Sequence, residues 1–584
     1  MAHIWHRMGV VLLVWGGFSA GCQLAEISTD KLVVGMHQPA GVVNPLGAGN
    51  RSSLAAQQLQ LPALVEFLGR NHADARLHNR YRRALIDTAP GSLQWNARRQ
   101  GQVVARLVLR HQEWFDPRTQ ESHPLSAVDV VATLQRIKQA DRAMWMSRQQ
   151  GRLEMTPFLS FVSQAIESAQ VDSDDPHVLY LRFADHILGP NRLHALTFRV
   201  LPAHLLNTLA NDRDVFVSAT PYRWDNWAQI SDASLPGAAK PPDAVLRFKS
   251  TLPERYIPLI ELRTTQDLRS YKNKLESGAF GLAFGLPQKP GNGLKLPQDM
   301  AWQAYESSDL WAFVVNCQKV SRQDRRALVA VLSQPESRAR FVELLTQSYP
   351  EARADMMRRS IFPNRVIDRF PRVREAVEEQ ARSLRMPLAA AAQRLEGRRF
   401  RFIYSYGMGD QFEPDAIAHT VSGLLGEVGA QLTDQRLEFR DFMDELRSGE
   451  TFELALYKFS AAAQLPEDFD LAQILPMKEE RGPDGGYRVQ PAAGNIFHFA
   501  DGPLYESMLQ LRRFPSENEQ GELDHQQLQR RQAALVRIDR IVRQEAIGLF
   551  LFSPTYYWFW QRQYDIAFDE VKVIGGEKFP AYSQ

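Results

Sequence analysis

The chain has 584 residues, a formal net charge of +2 at neutral pH and two cysteines, Cys22 and Cys317. That length exceeds what one hydrophobic core serves and predicts at least two lobes. The charge is nearly balanced, so the basic clusters Arg80-Tyr81-Arg82-Arg83 and Arg398-Arg399 read as solvated surface and no nucleic-acid partner is expected.

His3, His6 and Arg7 give a weakly basic start, an apolar run follows from Met8 to Phe18, and Ser19, Ala20 and Gly21 lead to Cys22. A short apolar segment with a basic flank and a small-residue exit predicts a signal peptide over residues 1–21, because a membrane span needs about 20 apolar residues. Ser19-Ala20-Gly21-Cys22 resembles a bacterial lipobox, with cleavage before the cysteine and a diacylglyceryl group on its thiol. The usual Leu three places before the cysteine is absent, Phe18 standing one place earlier, and an ordinary cleaved signal ending near a cysteine is the alternative. Acyl chains anchor at about 0.8 kcal/mol per buried methylene. Lipidation of Cys22 would hold the chain on the periplasmic side of the cell envelope. It would also leave Cys317 without a partner, so neither a disulfide nor a cysteine-based metal site is expected. Gln23 after the cysteine is compatible with outer-membrane sorting. Gly17-Phe18-Ser19-Ala20-Gly21 spells G-x-S-x-G, but that motif acts only at a strand-to-helix turn inside a folded sheet. In a removed segment it carries no chemistry.

A polar tether runs from Gln23 to Asp30, and Lys31 to Met36 then reads as a short buried strand. Gln38-Pro39 to Asn44-Pro45-Leu46 is a loop set by Pro and Gly. Val103 to Arg110 alternates apolar and polar, the pattern of a half-buried strand. Ser126-Ala127-Val128-Asp129 is a capping box, with Ala127, Val130, Val131, Leu134 and Ile137 at helical spacing behind it. Val178 to Phe183, Val245 to Phe248, Arg399 to Tyr406 and Phe452 to Phe459 read as strands. Ile417, Val421, Leu424, Leu425 and Val428 form one helical face ended by Gly429. Gln526 to Glu545 is a long amphipathic helix, Gly548 to Phe552 a last core strand, and Tyr556-Tyr557-Trp558-Phe559-Trp560 an aromatic run read as strand core with alternate faces, a partner- or membrane-facing patch being the alternative. Strands alternating with helices predict α/β lobes.

Signals for chemistry are poor. H-E-x-x-H is absent and the histidines are scattered, which gives a zinc hydrolase little support. G-x-x-x-x-G-K-S/T is absent too, so this is not the motor of a transporter. Gly407-Met408-Gly409 lacks the third glycine of a dinucleotide loop, Phe412 standing there, and reads as a tight βα turn. Glu467, Asp468 and Asp470 read as a solvated acid cluster rather than an acid–base pair. No enzyme, cofactor or metal is expected.

Leu107-Val108-Leu109-Arg110, Glu113-Trp114-Phe115-Asp116, Pro124-Leu125-Ser126-Ala127-Val128-Asp129-Val130-Val131 and Arg136-Ile137 resemble a hallmark of solute-binding family 5, which contains periplasmic dipeptide-, oligopeptide- and nickel-binding proteins. Other landmarks fall in the family's order: Asn44-Pro45-Leu46, Leu201-Pro202-Ala203-His204, Ala219-Thr220-Pro221-Tyr222 with Trp227, Leu275-Glu276-Ser277-Gly278, Asn316 with Arg326-Ala327-Leu328, Gly429, and Gln532 with Ile538. The resemblance runs from about Lys31 to Phe568. It implies a two-lobed α/β periplasmic-binding-protein-like fold of the peptide-binding type, with an extra lobe inserted in the first and closure by hinge motion. Mapped onto this chain, lobe I takes 31–55, 186–308 and 548–584, the inserted lobe II takes 56–185, and lobe III takes 309–547.

The resemblance further implies a lipid-anchored protein, expected to be monomeric, that captures a peptide or peptide-like solute for an ABC permease and ATPase. An envelope lipoprotein that uses the same scaffold to bind or sense another protein is the alternative. Ligand-binding candidates are Tyr222, Trp227, Tyr404, Tyr406, Tyr457 and Phe459, at or beside the strand ends that the family uses for its pocket. Aromatics suit ligand sandwiching, and equally suit lobe cores. Arg325 and Arg326 are read either as carboxylate binders or as exposed helix arginines. Three departures stand out. Where the peptide binders have an Asp-rich loop after the strand ending Tyr457-Lys458-Phe459, this chain has Ser460-Ala461-Ala462-Ala463-Gln464, with no acid before Glu467. Ala219-Thr220-Pro221-Tyr222 lacks both glycines of the family's strand start, and Gly281 stands where members have Asp.

The lipid is testable directly. Cys22→Ser is expected to abolish fatty-acid labelling and to leave the protein either soluble or uncleaved; labelling that survives the substitution would remove the lipid from Cys22.

Overall fold

The computed structural model describes residues 31–36, 43–46, 51–70, 79–146, 157–185, 187, 190–206, 215–226, 245–253, 257–265, 267–286, 290–291, 294–306, 310–348, 357–368, 370–405, 414–459, 471, 474–481, 486–492, 494–513, 525–553 and 555–562. Three larger sheets organise them. The first has seven strands in the spatial order Tyr222–Trp224, Val245–Ser250, Leu259–Thr264, Lys31–Met36, Leu282–Leu286, Thr555–Gln561 and Met300–Glu306. The second has five, in the order Gln431–Leu437, Arg399–Ser405, Leu454–Phe459, Leu310–Val315 and Gly548–Phe552. The third has four: Leu93–Arg99, Gln102–Val108, Val178–Phe183 and Ile166–Val171.

Burial explains why these segments are strands. Leu310–Val315 is buried at every position, and its side chains divide by the two-residue period of a strand. Trp311, Phe313 and Val315 enter the core beneath the helices Arg322–Leu332 and Pro414–Gly426, whereas Leu310, Ala312 and Val314 enter the core beneath His525–Glu545. A sheet covered on both faces needs such a continuous apolar run. In the seven-stranded sheet, the run Tyr556 to Trp560 behaves as strand core with alternating faces: Tyr557 and Phe559 pack to one side and Trp558 to the other. Glu261 lies buried on that sheet and meets Lys31, Arg247 and Arg263. Burial pushes its carboxyl up, but the hydrogen bonds and charges of Lys31 and Arg263 outweigh this and hold it below the ordinary range.

The capping box forms as read. Asp129 Oδ2 accepts the Ser126 N–H at 2.9 Å, and Ser126 Oγ accepts the Val128 N–H at 3.3 Å, at the head of the helix Ala127–Met146. Asp129 does more: its Oδ1 accepts the Ala203 N–H at 2.7 Å, and Thr133 Oγ1 accepts the Leu201 N–H at 2.9 Å. Two landmarks far apart in sequence, Ser126–Asp129 and Leu201–His204, are one hydrogen-bonded joint. Asn44 similarly closes its own turn through the Leu46 N–H, and Asn316 donates to the carbonyls of Gly449 and Phe452. Gly449 has φ +66°, and a Cβ there would lie 2.6 Å from the His498 ring, so this turn admits only glycine.

Two stretches sit elsewhere than the sequence reading places them. Gly548–Phe552, expected to open the return to the first lobe, pairs instead with Leu310–Val315 in the five-stranded sheet. The return comes one strand later, with Thr555–Gln561. Gly548 is required at that pairing, because a Cβ would fall 2.6 Å from the Phe313 carbonyl oxygen. Residues 191–206 and 215–219, expected with the first lobe, pack into the core of the four-stranded sheet: Ala195, Leu196, Phe198, Val200 and Leu201 share one cluster with Leu64, Leu107 and Leu181. The Val65 N–H donates to Leu196 at 3.2 Å and the Val200 N–H to Pro62 at 2.9 Å.

Asp129→Ala removes a helix cap and strands the partly buried N–H of Ala203, so it should destabilise the four-stranded unit by about 1–3 kcal/mol in urea unfolding. Asp129→Asn keeps an acceptor and should cost less, and Val128→Ala, at an exposed neighbour, should cost no more than about 0.5 kcal/mol. Equal effects of the three would dissolve the joint.

Candidate functional site

The registers of the two main sheets locate one junction. In the seven-stranded sheet Met36 stands opposite Thr264, Leu286 opposite Tyr557 and Glu306 opposite Thr555. The carboxyl ends of the parallel strands Lys31–Met36, Leu259–Thr264 and Leu282–Leu286 thus share an edge with Glu306 and Thr555. In the five-stranded sheet Leu310 stands opposite Phe459, Trp311 opposite Phe552 and Ser405 opposite Leu437. The carboxyl ends of Arg399–Ser405, Gln431–Leu437 and Leu454–Phe459 share an edge with Leu310 and Phe552. The chain joins Glu306 to Leu310 and Phe552 to Thr555, so both sets of carboxyl ends lie at the junction of the two sheets. Open α/β sheets bind ligands outside the carboxyl ends of their strands.

At that edge the sequence candidates fall on two faces. Tyr404 lies on the face of Phe402 and Trp311, with its ring 5.8 Å from that of Phe402. Its hydroxyl donates to the carboxylate of Asp415, in the first turn of Pro414–Gly426, and Asp415 also holds Arg436 at 2.8 Å. Burial, followed by the negative charge of Asp415 and this hydrogen bond, pushes the phenol above its ordinary range, so Tyr404 is a neutral donor at physiological pH. Tyr457 and Phe459 point to the other face. Tyr457 packs on Phe459 edge to face, with centroids 4.8 Å apart, and Phe459 stacks on Phe497 at 5.9 Å. They are core partners of Phe442, Phe497 and Phe550. Tyr222 is at the far end of its sheet, paired with Ser250, whereas the end near the junction is where Val245 meets Arg263. It is wholly buried, in one core cluster with Trp224 and Phe248. Cys22, Trp227, Tyr406 and the segment Ser460 to Gln464 lie outside the described residues.

Arg325 is buried and committed. It donates to the Glu545 carbonyl at 2.9 Å, to the Val320 carbonyl at 2.9 Å, and to the Glu545 carboxylate at 3.4 Å. Arg326, the next residue on that helix, is half-buried. Cys317 is a free thiol pushed up to about 12 by burial, which makes it a poor nucleophile. Among the described residues, no group of three or more His, Cys, Asp or Glu side chains is arranged to hold a metal ion, and no helix is long and apolar enough to cross a membrane.

Sequence reasoning missed Lys458, Asp415 and Arg436. Lys458 is buried directly opposite Trp311, on the face of Leu454 and Leu456 and hence of Tyr404. Its signal was a lysine at the alternating position of an otherwise apolar strand. Trp311 completes this end, stacked on Phe552 at 6.3 Å. Together Tyr404, Lys458, Asp415 and Arg436 supply neutral, cationic and anionic hydrogen-bonding groups beside an aromatic floor.

No protein-family model matches the chain, and comparison with curated proteins gives no match. Solved structures do match. The ABC transporter-associated periplasmic binding protein DppA of Helicobacter pylori, in complex with the peptide STSA, is similar with a TM-score of 0.63 at 15% identity, over 94% of this chain and 98% of that one. A dipeptide-binding protein of Pseudoalteromonas in complex with Met-Leu gives 0.64 at 12% identity, over 94% and 98%. The binding protein MoaA of A. tumefaciens in complex with mannopinic acid gives 0.63 at 14% identity, over 95% and 99%. These similar structures are binding proteins, not enzymes, and the coverage is nearly complete on both sides. The chain has the two-lobed α/β fold of periplasmic binding proteins of the peptide-binding type.

Proposed function

We propose that the protein is an extracytoplasmic solute-binding protein, anchored through an acylated Cys22, that captures a peptide or peptide-like solute between its lobes for an ABC permease and ATPase. The observation that carries this reading is the junction itself: the carboxyl ends of both sets of parallel strands meet where the chain passes twice between the sheets. In this reading the seven-stranded and five-stranded sheets are the cores of the two main lobes, the four-stranded sheet is the inserted lobe, and closure about the two links buries the solute. The similar structures hold a tetrapeptide, a dipeptide and mannopinic acid, which supports a small solute and leaves its chemistry to this chain's own residues.

Those residues argue for a particular class. The strand Leu454–Phe459 leads into Ser460 to Gln464, which carry no charge, where an acid would neutralise a peptide's α-ammonium. Loss of one partner of a buried ion pair costs about 3–5 kcal/mol, an affinity loss on the order of a thousandfold. At the described end of the junction stand the cationic side chains Lys458 and Arg436, which suit a carboxylate or carbonyl, while the single proton of the Tyr404 hydroxyl is already given to Asp415.

The polar end is testable by a double-mutant cycle. Tyr404→Phe is expected to cost about 1 kcal/mol through the lost hydrogen bond, and Asp415→Asn somewhat more, because it also uncouples Arg436. The pair should be non-additive by at least about 0.5 kcal/mol in denaturant unfolding, and strict additivity would separate the two groups.

The solute class is testable by thermal shift, since ligand at 100 times its dissociation constant adds about 2.7 kcal/mol to stability. Short unmodified peptides should leave the melting temperature nearly unchanged, while N-acetylated peptides, anionic solutes or non-peptide solutes raise it. Stabilisation by ordinary di- or tripeptides, lost on N-acetylation, would overturn the assignment of class. A response to none of these solutes, with no compaction in small-angle scattering, would overturn solute capture.

A further inference from the structure

The helices Pro371–Ser383, Gly502–Arg513 and His525–Glu545 pack on one face of the five-stranded sheet and leave a groove of about 750 Å³ between them. One wall is a stripe of the long helix, running from Gln529 through Gln532, Val536 and Arg540 to Gln544. These positions recur every three or four residues, so they share one helical face, and the stripe extends about 22 Å at 1.5 Å per residue. A furrow of that length suits a segment of polypeptide. Val373, Pro503, Ala533 and Ile541 give it an apolar floor.

Its charge is one-sided. Two acids line it, and both are engaged within the fold. Asp501 Oδ1 accepts the Leu504 N–H at 2.7 Å as a helix cap, and Glu545 holds Arg322 at 2.9 Å and Arg325 at 3.4 Å. The three arginines of the groove, Arg372, Arg537 and Arg540, are exposed, and their side chains make neither an ion pair nor a hydrogen bond among the described residues. An apolar floor rimmed by uncommitted guanidinium groups is complementary to an amphipathic acidic segment, since guanidinium pairs carboxylates bidentately and lies well over apolar surface. We propose that this groove docks an acidic, amphipathic segment of a partner protein, independently of any solute at the junction of the sheets.

The test uses the full chain and a fluorescein-labelled amphipathic peptide of Glu and Leu, read by anisotropy, beside its Lys and Leu counterpart. The acidic peptide should bind and the basic one should not, and binding should weaken as salt shortens the Debye length to about 8 Å. The triple variant R372E, R537E and R540E, all at exposed positions, should weaken binding about tenfold or more. The variant R98E, R269E and R382E makes the same change in net charge at exposed positions outside the groove and should stay within about twofold of the parent. Equal losses in both variants, or equal binding of both peptides, would overturn the proposal. Anionic phosphatidylglycerol vesicles are a third probe: retention of vesicles that the groove variant abolishes, with the acidic peptide unaffected, would assign the surface to a membrane and overturn it. The chain's own acidic run is the last competitor. If the acidic peptide binds only after Glu517, Glu519, Glu522 and Asp524 are changed to their amides, the groove serves this chain and the proposal falls.

Discussion

Everything in this molecule hangs on two links lying side by side. Glu306 pairs with Thr555 in one sheet, and Trp311 pairs with Phe552 in the other. Residues 307–309 on one passage, and 553–554 on the other, are all that separates the paired strands. Strand pairing fixes the chain on each side of both passages. The carboxyl ends share the edge there because Lys31–Met36 pairs parallel with Leu259–Thr264 and Leu282–Leu286, and Arg399–Ser405 pairs parallel with Gln431–Leu437 and Leu454–Phe459. Topology alone therefore brings the ends of both sheets to the place where the chain passes from one to the other.

What the sequence makes legible here is the joinery. Ser126–Asp129, Leu201–His204, Asn44–Leu46 and Asn316 were readable because each satisfies backbone groups by a local or near-local hydrogen bond, which only a few residue types provide. Such joints can persist while everything between them changes, and this agrees with a fold shared at 12–15% identity. Among the described residues, these joints are scaffold.

The site was less legible, for a reason of parity. An aromatic at a strand end is visible in sequence, but the face it takes depends on register, which pairing across the sheet decides. The pairing of Ile403 with Ala455 aligns Tyr404 with Leu454, Leu456 and Lys458, and consigns Tyr457 and Phe459 to the opposite core. Tyr222 illustrates the same limit along the strand axis, since antiparallel pairing with Ser250 sends it to the far end. Gly548–Phe552 reads as a core strand in either sheet, and only the close approach of the Phe313 carbonyl tells which. The arginines divide likewise: Arg325 looks available in sequence, yet it is consumed by the last turn of a helix more than two hundred residues away.

That last contact has a mechanical consequence. The helix His525–Glu545 passes through Ala546 and Ile547 alone before Gly548 begins the strand that ends at the second link. Arg325 grips the helix end by carbonyl and carboxylate at once, and Ala546 turns the chain with φ +47°, a conformation with little slack for a residue bearing a Cβ. Helix, corner and strand form a crank whose one arm walls the groove and whose other arm ends at Phe552, beside the junction of the sheets. Groove and junction are therefore two faces of one continuously packed piece of chain, although they share no residue.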